Sequence, residues 1–341
     1  MSSGFDPAAA AAPDSGIFGL PFAEAEASIV LVPVPFAATV SYGGGAERGP
    51  AAILEASRQV DLYDLQYGRI YEQGIHLRSP DPRLLPAHEQ ARALCAPIVE
   101  RGGSGPDDGA VIASIDAFGD LVNASVGAAV AELLAAGKVA GVVGGDHSVP
   151  FGAIRAAAAA HPGLGVLHVD AHADLRVAYE GFRWSHASIM HNVLDQVDGV
   201  ARLVQLGIRD FSEDELRAIH ASEGRVITHF DQEWRRRRFT GESHDALCQQ
   251  AIAALPESVW VSFDIDGLDP ALCPNTGTPV PGGLSFAEIA HLLEALVQSG
   301  RRILGFDLVE VAPGDDEWDA NVGARILYKL CGAAGASRGR G

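Results

Sequence analysis

Short apolar runs alternate with stretches of helical periodicity along most of this chain, and this alternation limits the fold more than any other feature. The runs are rich in β-branched residues and are predicted strands at 28–34, 139–143, 165–169, 202–207, 225–228, 258–263 and 303–309. Helices are predicted at 51–65, 87–99, 108–136, 148–160, 213–221, 244–255 and 286–299. Several strands are apolar almost throughout, as strands are when helices cover both faces of a sheet. The sequence therefore predicts an α/β fold, a three-layer α/β/α sandwich with a mostly parallel central sheet.

The predicted elements form one domain with an irregular segment at each end. The first residues include an alanine run between two prolines and show neither helical nor strand periodicity, so a mobile N-terminal arm is predicted at 1–27. A single domain is expected over 28–335, and a flexible tail at 336–341.

Composition argues against several classes of protein. The chain of 341 residues has 44 acidic and 25 basic residues, and its formal charge of −19 repels nucleic-acid phosphates and anionic membranes. No uninterrupted apolar stretch reaches the roughly 20 residues of a bilayer span. No basic residue precedes Arg48, whereas a targeting signal needs early positive charge. The four scattered cysteines form no C-x-x-C pair. We therefore expect a cytoplasmic protein with reduced thiols that binds neither nucleic acid nor a membrane.

Residue types that bind metal ions follow three of the predicted strands. The segments GGDHS (144–148), DAHAD (170–174) and DIDGLDP (264–270) each come directly after an apolar run. Ligands of open α/β sheets collect beyond the carboxyl ends of the strands, so these segments are expected to meet at one edge of the sheet. Alternate residues of an extended chain point to the same side. Six candidate metal ligands result: His147, Asp170, His172, Asp174, Asp264 and Asp266.

Four carboxylates in one place repel each other and cannot all stay ionised without cations. Two imidazoles and four carboxylates, without a thiolate, suit Mn²⁺, with Ni²⁺, Co²⁺ or Fe²⁺ as alternatives, rather than a structural zinc ion. Taken singly, GGDHS is also consistent with a strand-to-helix turn capped by Asp146, and DAHAD with a one-ion site or a hydrogen-bonded loop. The three segments together favour metal-assisted hydrolysis by an activated water molecule.

These segments resemble the metal-binding motifs of the ureohydrolases, the family that includes arginase and agmatinase. The resemblance covers roughly 28–331 and includes 42–57, 276–283 and 307–313. It implies the arginase-type sandwich, two Mn²⁺ ions, a homotrimer or homohexamer, and a metal-bridging hydroxide that attacks a guanidino compound (agmatine, a guanidino acid or guanidine) to release urea. By similarity, the ligands of one ion are His147, Asp170, Asp174 and Asp264. Those of the other are Asp170, His172, Asp264 and Asp266.

The resemblance also implies roles outside the metal ligands. His186 matches a histidine at the mouth of the family's active site, a proton shuttle or a substrate contact, and Glu310 matches the carboxylate that pairs with the guanidinium of the substrate. With the metal ligand Asp174, these are the candidate catalytic residues. Asp307 is interpreted as structural, and the remaining histidines, including His168, as core or surface residues.

The substrate is left open by the segment LRVAYEGFRW (175–184). Arginases resemble one another in having small polar residues here, so free arginine is disfavoured and the chain is closer to agmatinase-like members. Arg176 repels a cationic tail unless Glu180 or another acid pairs with it; alternatively it binds the carboxylate of a guanidino acid, or forms an ordinary ion pair. The aromatic residues of the segment either line a pocket or pack the loop. The candidate substrate contacts are Glu310, His186, Arg176, Glu180 and Trp184.

Other functions remain as alternatives at this point. A formimino or other amidine hydrolase of the same fold releases formamide or ammonia, a non-catalytic protein binds a guanidine metabolite without turnover, and an assembly subunit uses metal only for stability. The arginine run 235–238 lies in a very acidic chain, so we interpret it as a solvated helix face or a subunit contact.

Overall fold

The strands of the protein form one parallel sheet. The computed structural model describes residues 5–339. Its strands are β1 (Ile29–Val34), β2 (Ile75–Leu77), β3 (Val139–Gly144), β4 (Leu164–Val169), β5 (Val200–Ile208), β6 (Val226–Phe230), β7 (Ser258–Asp264) and β8 (Arg302–Val309). They lie in the order β2-β1-β3-β8-β7-β4-β5-β6, and every neighbouring pair is parallel.

Helices cover both faces of this sheet, which confirms the predicted α/β/α sandwich. They are α1 (Gly49–Ser57), α2 (Leu84–Glu100), α3 (Gly109–Ala135), α4 (Phe151–Ala160), α5 (Ile189–Gln196), α6 (Glu213–Ala221), α7 (Asp231–Phe239), α8 (His244–Ala253), α9 (Phe286–Gln298) and α10 (Trp318–Arg338). One core joins the sheet to α1, α8, α9 and α10, and a second joins it to α2, α3, α4 and α5. The strands between the two cores are buried on both sides.

Strand β1 shows how the apolar runs serve both cores. All its residues are buried. Ile29 and Leu31 point into one core, whereas Val30, Val32 and Val34 point into the other. A strand of this kind needs apolar residues at every position, and for this reason the runs lack the alternation of a half-exposed strand.

Helix α3 is long and apolar enough, by length and composition alone, to cross a membrane. In the protein its buried face packs against α2 and α4, and Gly119 on this face lies against the ring of Trp184. The apolar residues on this face therefore contribute to a core of the sandwich.

Four elements were not predicted from the sequence: β2, α5, α7 and α10. Strand β2 is a three-residue edge strand, too short for a pattern. Helix α10 contains several glycines, which lower helix propensity, but they allow close packing. At Gly332 a Cβ atom would lie 2.5 Å from Ile70. Tertiary packing thus overrides the weak local preference.

Helix α7 carries the arginine run 235–238. Each arginine lies near an acidic residue of the same chain: Arg235 near Asp231, Arg236 near Glu233, Arg237 near Glu242 and Arg238 near Glu288. Acidic residues of the same chain therefore pair with all four arginines of the run.

The predicted boundaries of the terminal segments differ from the structure. Ile17, Phe18 and Leu20, in the predicted mobile arm, are buried, and the Phe18 ring lies 4.8 Å from that of Tyr328. At the other end α10 continues to Arg338, past the predicted boundary at 335. These contacts join positions far apart in sequence, so no local pattern shows them. The arm prediction for 1–4 and the tail prediction for 340–341 lie outside the described residues.

Candidate active site

Four neighbouring strands end at the candidate site. Strands β3, β8, β7 and β4 are adjacent and parallel, so their carboxyl ends lie side by side. GGDHS follows β3, Glu310 follows β8, DIDGLDP begins at the last residue of β7, and DAHAD follows β4. GGDHS packs closely on the segment that follows β1, since a Cβ atom at Gly145 would lie 1.8 Å from the Phe36 carbonyl oxygen. The sheet order therefore brings together segments that are distant in sequence.

The imidazole of His147 lies among three carboxylates. Its Nδ1 is 2.8 Å from Asp170 Oδ2, 3.2 Å from Asp174 Oδ2 and 3.3 Å from Asp264 Oδ2, and all four residues are buried. Burial lowers the pKa of His147, but hydrogen bonds to these carboxylates outweigh burial and raise this pKa well above its usual range. Burial and the charge of Asp170 raise the pKa of Asp174 to about 6. The carboxylates are thus too close to remain ionised together without positive charge.

A second group shares Asp170 with the first. His172 Nδ1 is 3.1 Å from Asp266 Oδ2 and 3.4 Å from Asp170 Oδ1. One potential ligand atom from each residue lies within 4.8 Å of the others in the set His147, His168, Asp170 and Asp174, and likewise in the set Asp170, His172 and Asp266. Asp264 joins the first set through its 3.3 Å contact with His147 Nδ1. The structure therefore brings all six predicted ligands together, and two groups joined by Asp170 fit two cations that share a carboxylate.

Buried hydrogen bonds orient His147 toward the carboxylates. Its Nε2 lies 3.0 Å from Ser262 Oγ, and this hydroxyl donates to Asp307 Oδ1 over 2.9 Å. The hydroxyl proton is used by Asp307, so Ser262 accepts from the Nε2–H of His147, and Nδ1 faces the carboxylates. Without a cation Nδ1 donates its proton to them, in agreement with the raised pKa of His147. Trp260 Nε1 also donates to Asp307 over 2.6 Å. Asp307 therefore acts through Ser262 to keep Nε2 protonated, so that Nδ1 is the nitrogen that would bind a cation in place of its proton.

His168 also contacts the cluster, although it was assigned to core or surface from the sequence. It is buried, and its Nε2 lies 2.8 Å from Asp170 Oδ2. Gln205 Nε2 lies 3.0 Å from His168 Nδ1 and donates to the Ala173 carbonyl, while Thr228 donates to Gln205 Oε1. This network makes Nδ1 an acceptor, so Nε2 carries the proton and donates to Asp170. The spacing in the sequence indicates this contact, since His168 of β4 lies two positions before Asp170 and their side chains point to the same side of the extended chain.

Glu310 has one carboxylate oxygen without a partner. Its Oε1 accepts a hydrogen bond from the backbone N–H of His147 over 2.9 Å, whereas its Oε2 is buried and has no hydrogen-bond partner among the described residues. Burial, followed by the charge of Asp146, raises the pKa of Glu310 well above its usual range. Its backbone has a φ of 60°, in the left-handed region, where a side chain is strained. A buried, unpaired carboxylate oxygen in this position suits a cationic N–H donor.

His186 lines a cavity of about 130 Å³ beside the cluster, together with His172, Asp174 and Arg176. Thr39 Oγ1 accepts from the backbone N–H of His186 over 3.2 Å and lies 3.3 Å from its Nδ1. Burial, followed by the charges of His172 and His147, lowers the pKa of His186 to about 4. The imidazole is therefore neutral near pH 7.

This arrangement of strands and ligands has close counterparts among known proteins. The arginase family model matches residues 27–332. This chain belongs to the arginase family. It is 32% identical over 315 residues to the N(1)-aminopropylagmatine ureohydrolase of Thermus thermophilus, with 92% of each chain covered. It is 30% identical to the agmatinase of Bacillus anthracis, over 86% of this chain and 87% of that one.

Solved structures show the same fold. The agmatine ureohydrolase of Thermoplasma volcanium superimposes with a TM-score of 0.74 at 24% identity, over 95% of this chain and 96% of that one. The protein is an arginase-family ureohydrolase, a hydrolase that acts on linear amidines, with a buried His/Asp metal-binding cluster.

In this ureohydrolase, the acid that pairs with Arg176 is Glu215, not Glu180. Arg176 Nε lies 3.5 Å from Glu215 Oε2, and the guanidinium lies 4.7 Å from the centre of the Tyr179 ring. Glu215 is buried and also accepts from the backbone N–H of Leu175. Glu180 does not line the cavity, so its assignment as a substrate contact stays a prediction. No spacing rule places Glu215, on α6, next to the segment after β4.

Trp184, another predicted substrate contact, lies in the core and does not line the cavity either. Its ring packs in the core, 4.7 Å from the ring of Phe151 and directly against Gly119, and its Nε1 donates to Asp120 over 2.9 Å. The large apolar ring is buried and its single polar atom is satisfied, so the side chain stabilises the fold at a distance from the cavity.

We expect added Mn²⁺ to raise the melting temperature more at about pH 7.5 than at about pH 5. Without cations the pKa of Asp174 is about 6, raised by burial and Asp170, and that of His172 is about 12, raised by Asp266 against the effect of burial. Both values exceed the ordinary ones, so proton binding stabilises the cation-free fold at low pH and this stabilisation is lost as pH rises. A cation displaces these protons.

Thermal unfolding with and without Mn²⁺ at both pH values measures this difference. Groups that bind no cation, such as His186, affect the melting temperature equally with and without Mn²⁺. Their contribution therefore cancels in the difference between the two curves. An equal or smaller gain at the higher pH would contradict the assignment of these residues as ligands.

We expect Trp184→Ala to lower the free energy of unfolding by about 3–5 kcal/mol, because it empties a packed core position. The KM of the folded variant should equal that of the wild type, since Trp184 lies outside the cavity. Urea denaturation and steady-state kinetics measure the two quantities, with Trp184→Phe as the milder comparison. A raised KM with unchanged stability would restore Trp184 as a substrate contact.

Proposed function

We propose that this ureohydrolase hydrolyses the guanidinium group of a linear compound with a cationic amine tail, such as agmatine or N(1)-aminopropylagmatine, to urea and an amine. The observation that supports it most is the buried, unpaired Oε2 of Glu310 beside the His/Asp cluster. A guanidinium N–H donates well to this oxygen, and two such donors match a carboxylate in a planar fork.

The residues of the chain position the reacting group. Glu310 binds the guanidinium with a carboxylate that is buried away from water. The central carbon of the guanidinium therefore faces the cluster in a fixed orientation. His147, Asp170, His172, Asp174, Asp264 and Asp266 would hold two divalent cations. Such cations polarise a water molecule and stabilise negative charge as it develops. His186 stays neutral and is held at Nδ1 by Thr39, which leaves Nε2 for a proton of the substrate or of the leaving amine.

The charges around the cavity support a cationic tail. Arg176 is neutralised in part by Glu215 and stacks on Tyr179. Asp210 also lines the cavity, is exposed, and makes no ion pair within residues 5–339. The remaining charge at the mouth is therefore negative, which attracts an ammonium group. The relatives named for N(1)-aminopropylagmatine and agmatine point to the same class.

One observation favours a second candidate, a guanidino acid. The terminal nitrogens of Arg176 make no hydrogen bond with the described residues, although the side chain lies at the cavity. A carboxylate tail suits these donors. Asp210 opposes this candidate through like charge.

The identity of the cation, the oligomeric state and the cellular location of the enzyme are also proposals. Mn²⁺ is supported by a donor set of imidazoles and carboxylates without a thiolate. A homo-oligomer is proposed on the family resemblance, and a cytoplasmic location on four free cysteines.

Urea release from a panel of guanidino compounds tests the proposal. With Mn²⁺ we expect kcat/KM for agmatine and N(1)-aminopropylagmatine to exceed that for 4-guanidinobutyrate, arginine and guanidine by about fivefold, because an amine tail pairs with the exposed Asp210 whereas a carboxylate tail meets it as a like charge. The variant Glu310→Gln keeps the shape of the side chain but removes its negative charge, and it should lose most of the turnover. The metal content of this variant shows whether its cluster is intact.

The other outcomes are distinct. A preference for 4-guanidinobutyrate replaces the amine-tailed substrate by a guanidino acid. Formamide or ammonia in place of urea indicates a formimino or amidine hydrolase, and binding without any turnover indicates a non-catalytic protein.

We expect Asp210→Asn to raise KM for the amine-tailed substrate by up to about fivefold with little change in kcat, as the loss of one exposed charge pair costs up to about 1 kcal/mol. Asp198→Asn is the matched control, because Asp198 is also exposed and unpaired within 5–339 but lies before β5, at the opposite end of this strand. An equal KM in Asp210→Asn and wild type would show that Asp210 does not bind the tail of the substrate.

A further inference from the structure

The side chain of Arg209 binds backbone carbonyls from three parts of the chain. It follows β5 and donates from Nη1 to Gly207 over 3.0 Å and from Nε to Val280 over 3.1 Å. Its Nη2 lies 2.6 Å from the Asp266 carbonyl oxygen and 3.0 Å from that of Leu268. Arg209 forms no ion pair with a carboxylate in the described part of the chain.

These bonds join the two segments that supply the ligands of the second group. The backbone N–H of Arg209 donates to the Ala171 carbonyl over 2.8 Å, within DAHAD. Its guanidinium binds the carbonyl of Asp266, whose own side chain accepts from the N–H of Ala171 over 3.0 Å. Arg209 therefore connects the segment of Asp170 and His172 to the segment of Asp266.

Asp264 and Asp266 are held in different ways. Asp264 is the last residue of β7 and pairs with Val309 of β8, so the sheet fixes its position. Asp266 lies beyond the strand, in a single turn of 3₁₀ helix, where no strand ladder supports it. Hydrogen bonds hold this turn instead: Arg209 Nη2 donates to the Asp266 carbonyl, Cys273 Sγ donates to the Ile265 carbonyl, and the Leu284 N–H donates to the Gly267 carbonyl. Among these, the guanidinium of Arg209 is the side chain that binds the carbonyl of Asp266 itself.

The surroundings of Arg209 leave it little freedom. A Cβ atom at Gly282 would lie 3.1 Å from its Cδ, and one at Gly283 would lie 2.8 Å from its Nη2. Five N–H donors in a rigid plane reach several carbonyls at once, which the ammonium of a lysine cannot do in the same geometry.

We propose that Arg209 is a positioning residue that holds Asp266 in place for the cation of the Asp170, His172 and Asp266 group. This inference rests on the proposed function only in requiring two cations, not in requiring any particular substrate. It predicts a selective effect: loss of Arg209 weakens the cation of this group, whereas the group around His147, with Asp174 and strand-held Asp264, keeps its cation.

Equilibrium Mn²⁺ binding by isothermal titration tests the proposal without an activity assay. We expect two ions per chain in the wild type. In Arg209→Met we expect one ion of nearly wild-type affinity and a second that binds about 10–100-fold more weakly, as for the loss of other residues that orient ligands. Arg209→Lys keeps the charge without the fork, and the same ion should be weakened.

Arg225 provides a matched control. Its guanidinium also binds only backbone carbonyls, those of Leu194, Val197 and Val200, but at the amino end of β5, far from the cluster. Arg225→Met should keep both ions at wild-type affinity, even if its melting temperature falls.

Two results would overturn the proposal. One is two ions of wild-type affinity in both Arg209 variants. The other is an equal weakening of both ions, or a weakening in Arg225→Met as large as in Arg209→Met, which would show a general loss of stability. If Arg209→Met does not fold, Mn²⁺ binding by Arg209→Lys tests the proposal by itself. A failure of the substrate proposal would leave all these binding results unchanged.

Discussion

Repulsion among buried carboxylates is the constraint on which the rest of the active site depends. Asp170, Asp174, Asp264 and Asp266 are all buried around two imidazoles. Burial and neighbouring charge raise the pKa of Asp264 well above its usual range, which shows how unfavourable this arrangement is without cations. A protein that keeps such a cluster needs both divalent ions to neutralise it and a rigid frame to hold the ligands against their mutual repulsion. The parallel strands supply most of that frame, because four carboxyl ends meet at one edge.

Hydrogen-bonded partners complete the frame where the strands end. Ser262 and Asp307 fix His147, while Gln205 and Thr228 fix His168, which in turn binds Asp170. These partners lie inside the strands, so sheet pairing determines their positions. Asp266 lies outside a strand, and its turn is held by hydrogen bonds from neighbouring segments, with Arg209 bound to the carbonyl of Asp266 itself. The division between strand-held and side-chain-held ligands follows from where each strand stops.

The sequence predicted the sandwich and the six ligands because both depend on local patterns. Apolar runs mark buried strands, and the ligands follow these runs at a spacing of two. The partners that lie far away in sequence were not predictable in this way. Glu215 reaches Arg176 from α6, and Trp184 enters the core because Gly119 of α3 leaves room for its ring. A residue such as Trp184 has the same local signal whether it lines a pocket or packs in a core, and only the partner across the fold decides.

Two strained acidic residues at the site, Asp174 and Glu310, show how the fold and the chemistry are linked. Asp174 has a φ of 54° and Glu310 a φ of 60°, values that side chains rarely adopt. Each lies just after the point where the chain leaves a strand or a ligand segment, and each is held by its neighbours: the Asp174 carbonyl accepts from Met190, and the Glu310 carbonyl accepts from Thr276. An extended backbone would direct both side chains elsewhere. Under the proposed function, this strain turns one carboxylate toward the cations and leaves an oxygen of the other unpaired for the guanidinium.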